Sequence, residues 1–289
     1  MILVTGATGH LGKVVTNELL KKINASNIAV LARNTEKAKA FAEKGVKVLE
    51  GNYDNYDSLL KAFTGIDKLY FVSGSEIPKR MKQHQNVVKA AKQAGVKHII
   101  YTSFQRTTDD ETSSIFMVAE THVATEKLIK ATGISYTILK HALYTDILPM
   151  FLGENILDTK TIYMPAQQGK ISLATREDMG KGAAIILTSN GHENKTYEFG
   201  GETALDMNDI AEILSKLSNQ PIGYVSPSQE EFKTTLLGYG VPEEAIRMAA
   251  VFSQGIAEDE FNHPTSDLKN ILGRELTSAS SHLKTLYNL

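Results

Sequence analysis

Eight residues near the start, Thr5-Gly6-Ala7-Thr8-Gly9-His10-Leu11-Gly12, follow the apolar run Ile2–Val4 and open an amphipathic stretch. An anion binds well where a glycine turn delivers the chain into the positive end of a helix. Gly6 makes the tight turn, Gly9 lets the backbone approach a pyrophosphate, and Gly12 lets helix and strand pack closely. A glycine triplet alone also suits a turn that holds nothing; its place between a strand and a helix is what points to a dinucleotide. The expected contacts run through Thr5, Gly6, Thr8, Gly9, His10, Leu11 and Gly12.

Three further positions fit the same ligand. Arg33 ends the second apolar run, about twenty residues past the glycines, where an acidic residue would hold the ribose 2′-hydroxyl of NAD. A guanidinium there suits the 2′-phosphate of NADP instead and can stack on adenine. Lys37 is a possible second cation. Asn52 ends the third run and offers its amide oxygen to the adenine amino group. Ser73, Gly74 and Ser75 end the fourth run and form a small-residue turn beneath the nicotinamide-side ribose. Thr102, Ser103 and Phe104 close the fifth, and Lys140 closes the sixth.

These residues need a scaffold. The apolar runs Ile2–Val4, Ile28–Ala32, Val46–Leu49, Leu69–Val72, His98–Tyr101 and Tyr136–Leu139 alternate with helical patterns. Gly45, Gly65, Gly95 and Gly133 fall where those helices should end. Short, nearly continuous apolar strands imply a parallel sheet covered on both faces, a doubly wound α/β (Rossmann) fold. After Pro149 the rhythm changes. Residues 150–170 read as irregular, Arg176–Leu187 and Asp206–Leu217 as helices, Lys195–Phe199 as a strand returning to the sheet, and the stretch from Pro221 as mostly helical. The expected division is a dinucleotide domain from 1–150 and 171–200, with a smaller, mostly helical C-terminal domain from 151–170 and 201–289.

Composition narrows the classes. The chain has 289 residues, a net charge of −2 and no cysteine. There is no basic stripe for nucleic acid, no apolar run as long as a membrane span, and no thiolate for a metal or a nucleophile. We expect a cytoplasmic protein, monomer or homodimer, without a metal, acting on a small molecule.

Val4-Thr5-Gly6-Ala7-Thr8-Gly9-x-x-Gly12, Gly95-Val96-Lys97-His98-Ile99, Tyr101-Thr102-Ser103 and Tyr136-Thr137-Ile138-Leu139 together resemble the NmrA-like, atypical short-chain dehydrogenase/reductases. Ala142-Leu143-Tyr144-Thr145-Asp146, Gly191-His192-Glu193-Asn194-Lys195-Thr196-Tyr197 and Thr265-Ser266-Asp267-Leu268 resemble the branch of NADPH-dependent quinone oxidoreductase and triphenylmethane reductase. The resemblance implies an NADP-binding domain and a substrate cleft against a small C-terminal domain. Standard members of the superfamily carry Tyr-x-x-x-Lys on the helix after strand five. His122 and Glu126 stand there instead, four apart on one helical face.

That replacement leaves two readings. The chain either transfers hydride from NADPH to a quinone-like or other flat, electron-poor acceptor that needs little acid help, or senses NADP(H) without turnover. His122 is the candidate catalytic residue, as a proton donor, a substrate contact or only part of the wall. Phe104, His122 and Tyr144 are the candidate substrate contacts, with Phe151 and Tyr163 as further aromatic walls or core. Glu126 has a plain alternative in a surface pair with Lys130. The polar stretch Gln105–Ser114 reads as a lid or a surface loop. A nucleotide-sugar epimerase, which relies on Tyr and Lys, fits poorly.

Overall fold

The computed structural model describes residues 1–153 and 155–289. The chain runs β1 (Ile2–Val4), α1 (His10–Leu20), β2 (Ile28–Ala32), α2 (Lys39–Ala42), β3 (Lys47–Glu50), α3 (Tyr56–Phe63), β4 (Lys68–Phe71), α4 (Ile77–Ala94), β5 (His98–Phe104), α5 (Phe116–Ala131) and β6 (Ser135–His141). It continues through β7 (Leu143–Tyr144), α6 (Leu148–Leu152), α7 (Ile156–Thr159), β8 (Thr161–Tyr163), β9 (Ile171–Ala174), α8 (Arg176–Thr188), β10 (Lys195–Phe199) and β11 (Ala204–Leu205). The last elements are α9 (Met207–Ser218), β12 (Gly223–Val225), α10 (Gln229–Gly238), α11 (Glu243–Ala257), α12 (Asp267–Leu272) and α13 (Ala279–Leu286).

Seven strands form one parallel sheet in the order β10-β6-β5-β4-β1-β2-β3. All five residues of β2 are buried, as a strand covered on both faces requires. One core joins α1, α8 and α12 to the face carrying Val4, Val30 and Ile100. A second packs α3, α4 and α5 on the face carrying Leu3, Leu69 and Tyr101. Strand order reverses between β1 and β4, which places the turns after these two strands side by side at the carboxyl edge, where open α/β sheets hold ligands. Gly45, Gly65, Gly95 and Gly133 all take positive φ, from 76° to 84°, at the ends of their helices.

A third core gathers residues beyond the large sheet, with Ile156, Ile162, Met207, Ile210, Ile256 and Phe261 among them. Residues 150–170 are more regular than their sequence suggests. They contain α7 and β8, and β8 pairs in parallel with β12. Neither strand has an apolar run; each exists because a partner about sixty residues away supplies its hydrogen bonds. Strand β9 pairs with β7 and β11 in a small separate sheet. Helix α12, although late in the chain, carries Leu268 into the core shared with α1 and α8.

Candidate active site

The turn after β1 is built to leave donors free. Gly6 has φ of 62°, a left-handed conformation that an L side chain resists. A Cβ on Gly12 would lie 2.3 Å from the Gly6 carbonyl oxygen, so this position closes the contact between turn and helix. A Cβ on Gly9 would meet that oxygen at 3.3 Å and nothing else nearby. Gly9 caps α1 with no side-chain hydrogen bond, and the first turn carries no acidic residue. The amides of His10, Leu11 and Gly12 thus sit at the positive end of the helix without intrahelical acceptors. Thr8, Gly9 and His10 are exposed here. A pyrophosphate fits this edge in charge, donors and room.

Arg33 reaches the same edge and is 73% exposed. Its guanidinium lies 3.3 Å from Glu76, which also holds Lys79 at 3.1 Å. Such an exposed pair contributes at most about 1 kcal/mol, so a phosphate can displace it. Arg33, Gly51 and Asn52 line one groove of about 640 Å³. Asn52 already uses its Oδ1 to accept the Asp54 N–H at 3.1 Å.

Several expected contacts have other partners. The Thr5 hydroxyl donates to the Tyr70 carbonyl and accepts from Val72 N–H and the Tyr53 hydroxyl, bracing β1 against β4. Thr102 Oγ1 accepts the Ser73 N–H at 2.8 Å and is buried. Ser103 donates to Glu126. These three hydroxyls hold the sheet edge together rather than facing out from it, because their strand positions turn them towards neighbouring backbone and α5. Lys140 pairs with Glu198 at 3.3 Å across β6 and β10. Ser75 is exposed, and Ser73 Oγ is sealed without a partner.

Glu126 is not in a surface pair with Lys130. It forms a buried ion pair with Arg106 at 3.0 Å, with side-chain exposures of 10% and 0%. Arg106 also donates to the Phe104 carbonyl at 2.7 Å. Gln105 donates to Glu198 and to the His263 carbonyl, and the amides of Thr107 and Thr108 donate to Glu260. The first half of the Gln105–Ser114 stretch is therefore a clamp between the two parts of the chain.

His122 is buried on α5, its Nδ1 2.8 Å from the Tyr101 hydroxyl and its ring stacked 5.8 Å from Phe104. Burial first, and then the positive charge of Arg80, hold its pKa well below the usual range for histidine. His84 is held at about 3 by the same two causes, and His141 at about 3 by burial. Tyr144 lies under the Arg176 guanidinium at 4.4 Å, and burial pushes its hydroxyl up to about 12. Phe104 packs edge-on against Phe261, and Phe151 at a tilt against Phe252. Tyr163 packs on Phe232 away from this group. A groove of about 610 Å³ beside α11 is lined by Ser114, Gln229, Ile246 and Ala250 among others, and not by Phe104, His122 or Tyr144.

The NmrA-like family matches residues 1–285. The chain belongs to the NmrA-like family. Quinone oxidoreductase 2 of Escherichia coli (strain K12) is 34% identical over 289 residues, 100% of this chain and 99% of that protein. The crystal structure of an NADPH-dependent quinone oxidoreductase from Escherichia coli complexed with NADPH superposes with a TM-score of 0.92 at 34% identity, covering 100% of both chains. That of the Citrobacter sp. triphenylmethane reductase complexed with NADP(H) gives a TM-score of 0.91 at 40% identity, covering 99% of both. These NmrA-like relatives share the whole architecture described above.

Sequence reasoning missed the residues behind the glycine turn. Tyr53, Arg80, His84, Tyr101, Arg106 and Thr125 all form buried or part-buried hydrogen bonds among β4, β5, α4 and α5 and the loops beside them. The signal available was polar residues, among them Arg80, Gln83 and His84, on the face of α4 that packs inward.

Proposed function

We propose that this NmrA-like chain is an NADPH-dependent oxidoreductase that passes hydride to a quinone-like or other flat, electron-poor acceptor. The names of its relatives support the cofactor and the reaction class: NADPH-dependent quinone oxidoreductase, NADP(H)-complexed triphenylmethane reductase and, at 29% identity over 243 residues, the NAD(P)H azoreductase of Xenophilus azovorans. That azoreductase match covers 84% of this chain and 82% of that protein. The observation that carries the acceptor class is local. Helix α5 offers no Tyr–Lys pair, and the histidine that stands there is kept uncharged by burial and by Arg80.

When bound, the reduced dinucleotide would supply a hydride, one proton with two electrons. The first-turn amides of α1 hold its pyrophosphate, and Arg33 holds the 2′-phosphate. The Ser73–Ser75 turn, fixed through Gly74 N–H to His84 and Ser73 N–H to Thr102, supports the nicotinamide end. A neutral histidine cannot deliver a proton readily at neutral pH. Acceptors that need none from the protein are favoured: a quinone gives a stabilised phenolate that water protonates, and a cationic dye is simply neutralised. Catalysis then rests on positioning.

Pure protein mixed with NADPH and a panel of quinones, aldehydes and cationic triarylmethane dyes provides the test, read as loss of the reduced cofactor's absorbance. Turnover with quinones or dyes and not with simple aldehydes is expected. Aldehyde reduction as fast as quinone reduction would overturn the acceptor assignment, and NADPH binding without turnover would favour a sensor.

A further inference from the structure

Behind the Ser73–Ser75 turn lies a row of polar side chains whose hydrogens follow by elimination. The Gly74 N–H donates to His84 Nε2 at 2.9 Å, so that nitrogen presents a lone pair. His84 Nδ1 lies 2.8 Å from Thr125 Oγ1, whose own proton goes to the Thr121 carbonyl at 2.6 Å. Thr125 therefore accepts, and neutral His84 carries its proton on Nδ1. Tyr101 Oη lies 3.5 Å from that Nδ1, which has no lone pair to offer it. The Thr125 and Ser73 hydroxyls also lie beside Tyr101 Oη, but His122 Nδ1, at 2.8 Å, is the neighbour that both meets hydrogen-bond geometry and offers a lone pair, so it takes the Tyr101 proton. Neutral His122 is then left with its proton on Nε2.

Nε2 is the open end of the row. It has no hydrogen-bond partner among the described residues, and unlike Ser73 Oγ and Arg80 Nε it is not sealed from solvent. The groups around the ring do not favour a positive charge. Arg80 and His84 face it from α4, Arg106 from the loop after β5, and His141 from β6. Glu126, one turn along its own helix, is engaged by Arg106.

We propose that Tyr101 and His84 are positioning residues that lock His122 as its neutral Nε2–H tautomer, and that this N–H donates a hydrogen bond to an acceptor oxygen that gains negative charge on reduction. The donor role rests on the reductase reading above; the tautomer assignment does not. Hydride from NADPH reduces the acceptor, the new oxyanion accepts the Nε2–H bond, and water supplies the proton. A neutral imidazole is too weak an acid to give up its own proton, so its contribution is electrostatic. The substrate class this selects is a conjugated carbonyl, a quinone above all, whose oxygen carries the charge.

The test is long-range ¹⁵N–¹H correlation on protein with ¹⁵N-labelled histidine, without cofactor, assigned through His122→Gln and His84→Gln. The expected spectrum has His122 protonated on Nε2 and bare on Nδ1, and His84 the reverse. In Tyr101→Phe the His122 pattern should move towards a mixture of tautomers. The same variant should lower kcat for a quinone by about tenfold, less than the roughly hundred- to thousandfold loss on removing an oxyanion donor outright because the donor is only misaligned, with KM for NADPH and turnover of a cationic dye unchanged. His122 found with Nδ1–H, or as imidazolium at neutral pH, in the parent protein overturns the tautomer assignment whatever the turnover. Equal losses of Tyr101→Phe on quinone and dye overturn the donor role. No turnover on any acceptor, with the expected spectrum, removes the reductase reading and the donor role but keeps the lock.

Discussion

Two polar regions meet at the carboxyl edge of the sheet, and they are finished to different degrees. The turn Gly6–Gly12 leaves helix α1 without a side-chain cap, and Arg33 stays exposed beside it. Behind it, His84 bonds Thr125, Tyr101 bonds His122, and Arg106 bonds Glu126 inside the fold. The first region is completed by something that arrives; the second is already largely paired, with Arg106 Nη2, Arg80 Nε and Ser73 Oγ left over. The difference teaches where each should fail when altered: the open region in binding, the closed one in stability.

The largest effect belongs to the closed region. Glu126→Ala leaves the buried Arg106 with only the exposed Asp109, at 2.6 Å, as counter-charge and should cost about 3 kcal/mol of stability, the low end for a broken buried pair. Denaturant unfolding measures it; a loss under 1 kcal/mol would show that the cluster is not closed after all. Gly9→Val attacks the open region, where an added Cβ meets only the Gly6 oxygen, at 3.3 Å. It should weaken NADPH by about a hundredfold, the equivalent of about 3 kcal/mol of lost phosphate contact, with little change in unfolding. Parental affinity by calorimetry would misplace the cofactor. Arg33→Asp should cost NADPH about 10- to 100-fold and leave NADH nearly unchanged, since it removes a charge-assisted bond to the 2′-phosphate. Equal affinities of the parent protein for both cofactors would refute that role.

Acid sharpens the same contrast by a smaller step. His84 and His141 titrate at about 3 in the folded chain, against 6.5 when solvated. Below 6.5 the unfolded chain binds protons that the native chain refuses. Stability is therefore full above pH 6.5 and is lost as pH falls towards 3, at about 1.4 kcal/mol per pH unit for each histidine once well inside that window. His141→Gln should reduce the slope by one such share in urea titrations at several pH values. An unchanged slope would mean that His141 is solvated in the native state.

The open region was legible because its parts are contiguous: Gly6, Gly9 and Gly12 carry their spacing in the sequence, and β1 and α1 announce themselves on either side. All six expected strands of the large sheet formed within about three residues of their expected limits, and Lys195–Phe199 joined β6 as expected. The closed region was not legible, because its members come from α4, β5, the following loop and α5. Glu126 read as a surface residue since Lys130 stands four places on; its true partner, Arg106, is brought in by the fold. Thr5, Thr102 and Ser103 were expected to face a ligand because hydroxyls at strand ends often do, but whether a hydroxyl faces out or back depends on which carbonyl, amide or carboxylate lies next to it. Strands β8 and β12 escaped notice for the same reason, each depending on the other for its pairing.

The most direct test of hydride transfer uses NADPH deuterated at the transferable position of the nicotinamide and a cationic triarylmethane dye, with mass spectrometry of the colourless product. The central carbon of that product keeps whatever hydrogen it receives. A product carrying the deuterium, formed by the parent protein and lost with Gly9→Val, is the expected result. A product without deuterium, or none at all despite tight NADPH binding, would contradict direct transfer from the cofactor to a flat acceptor.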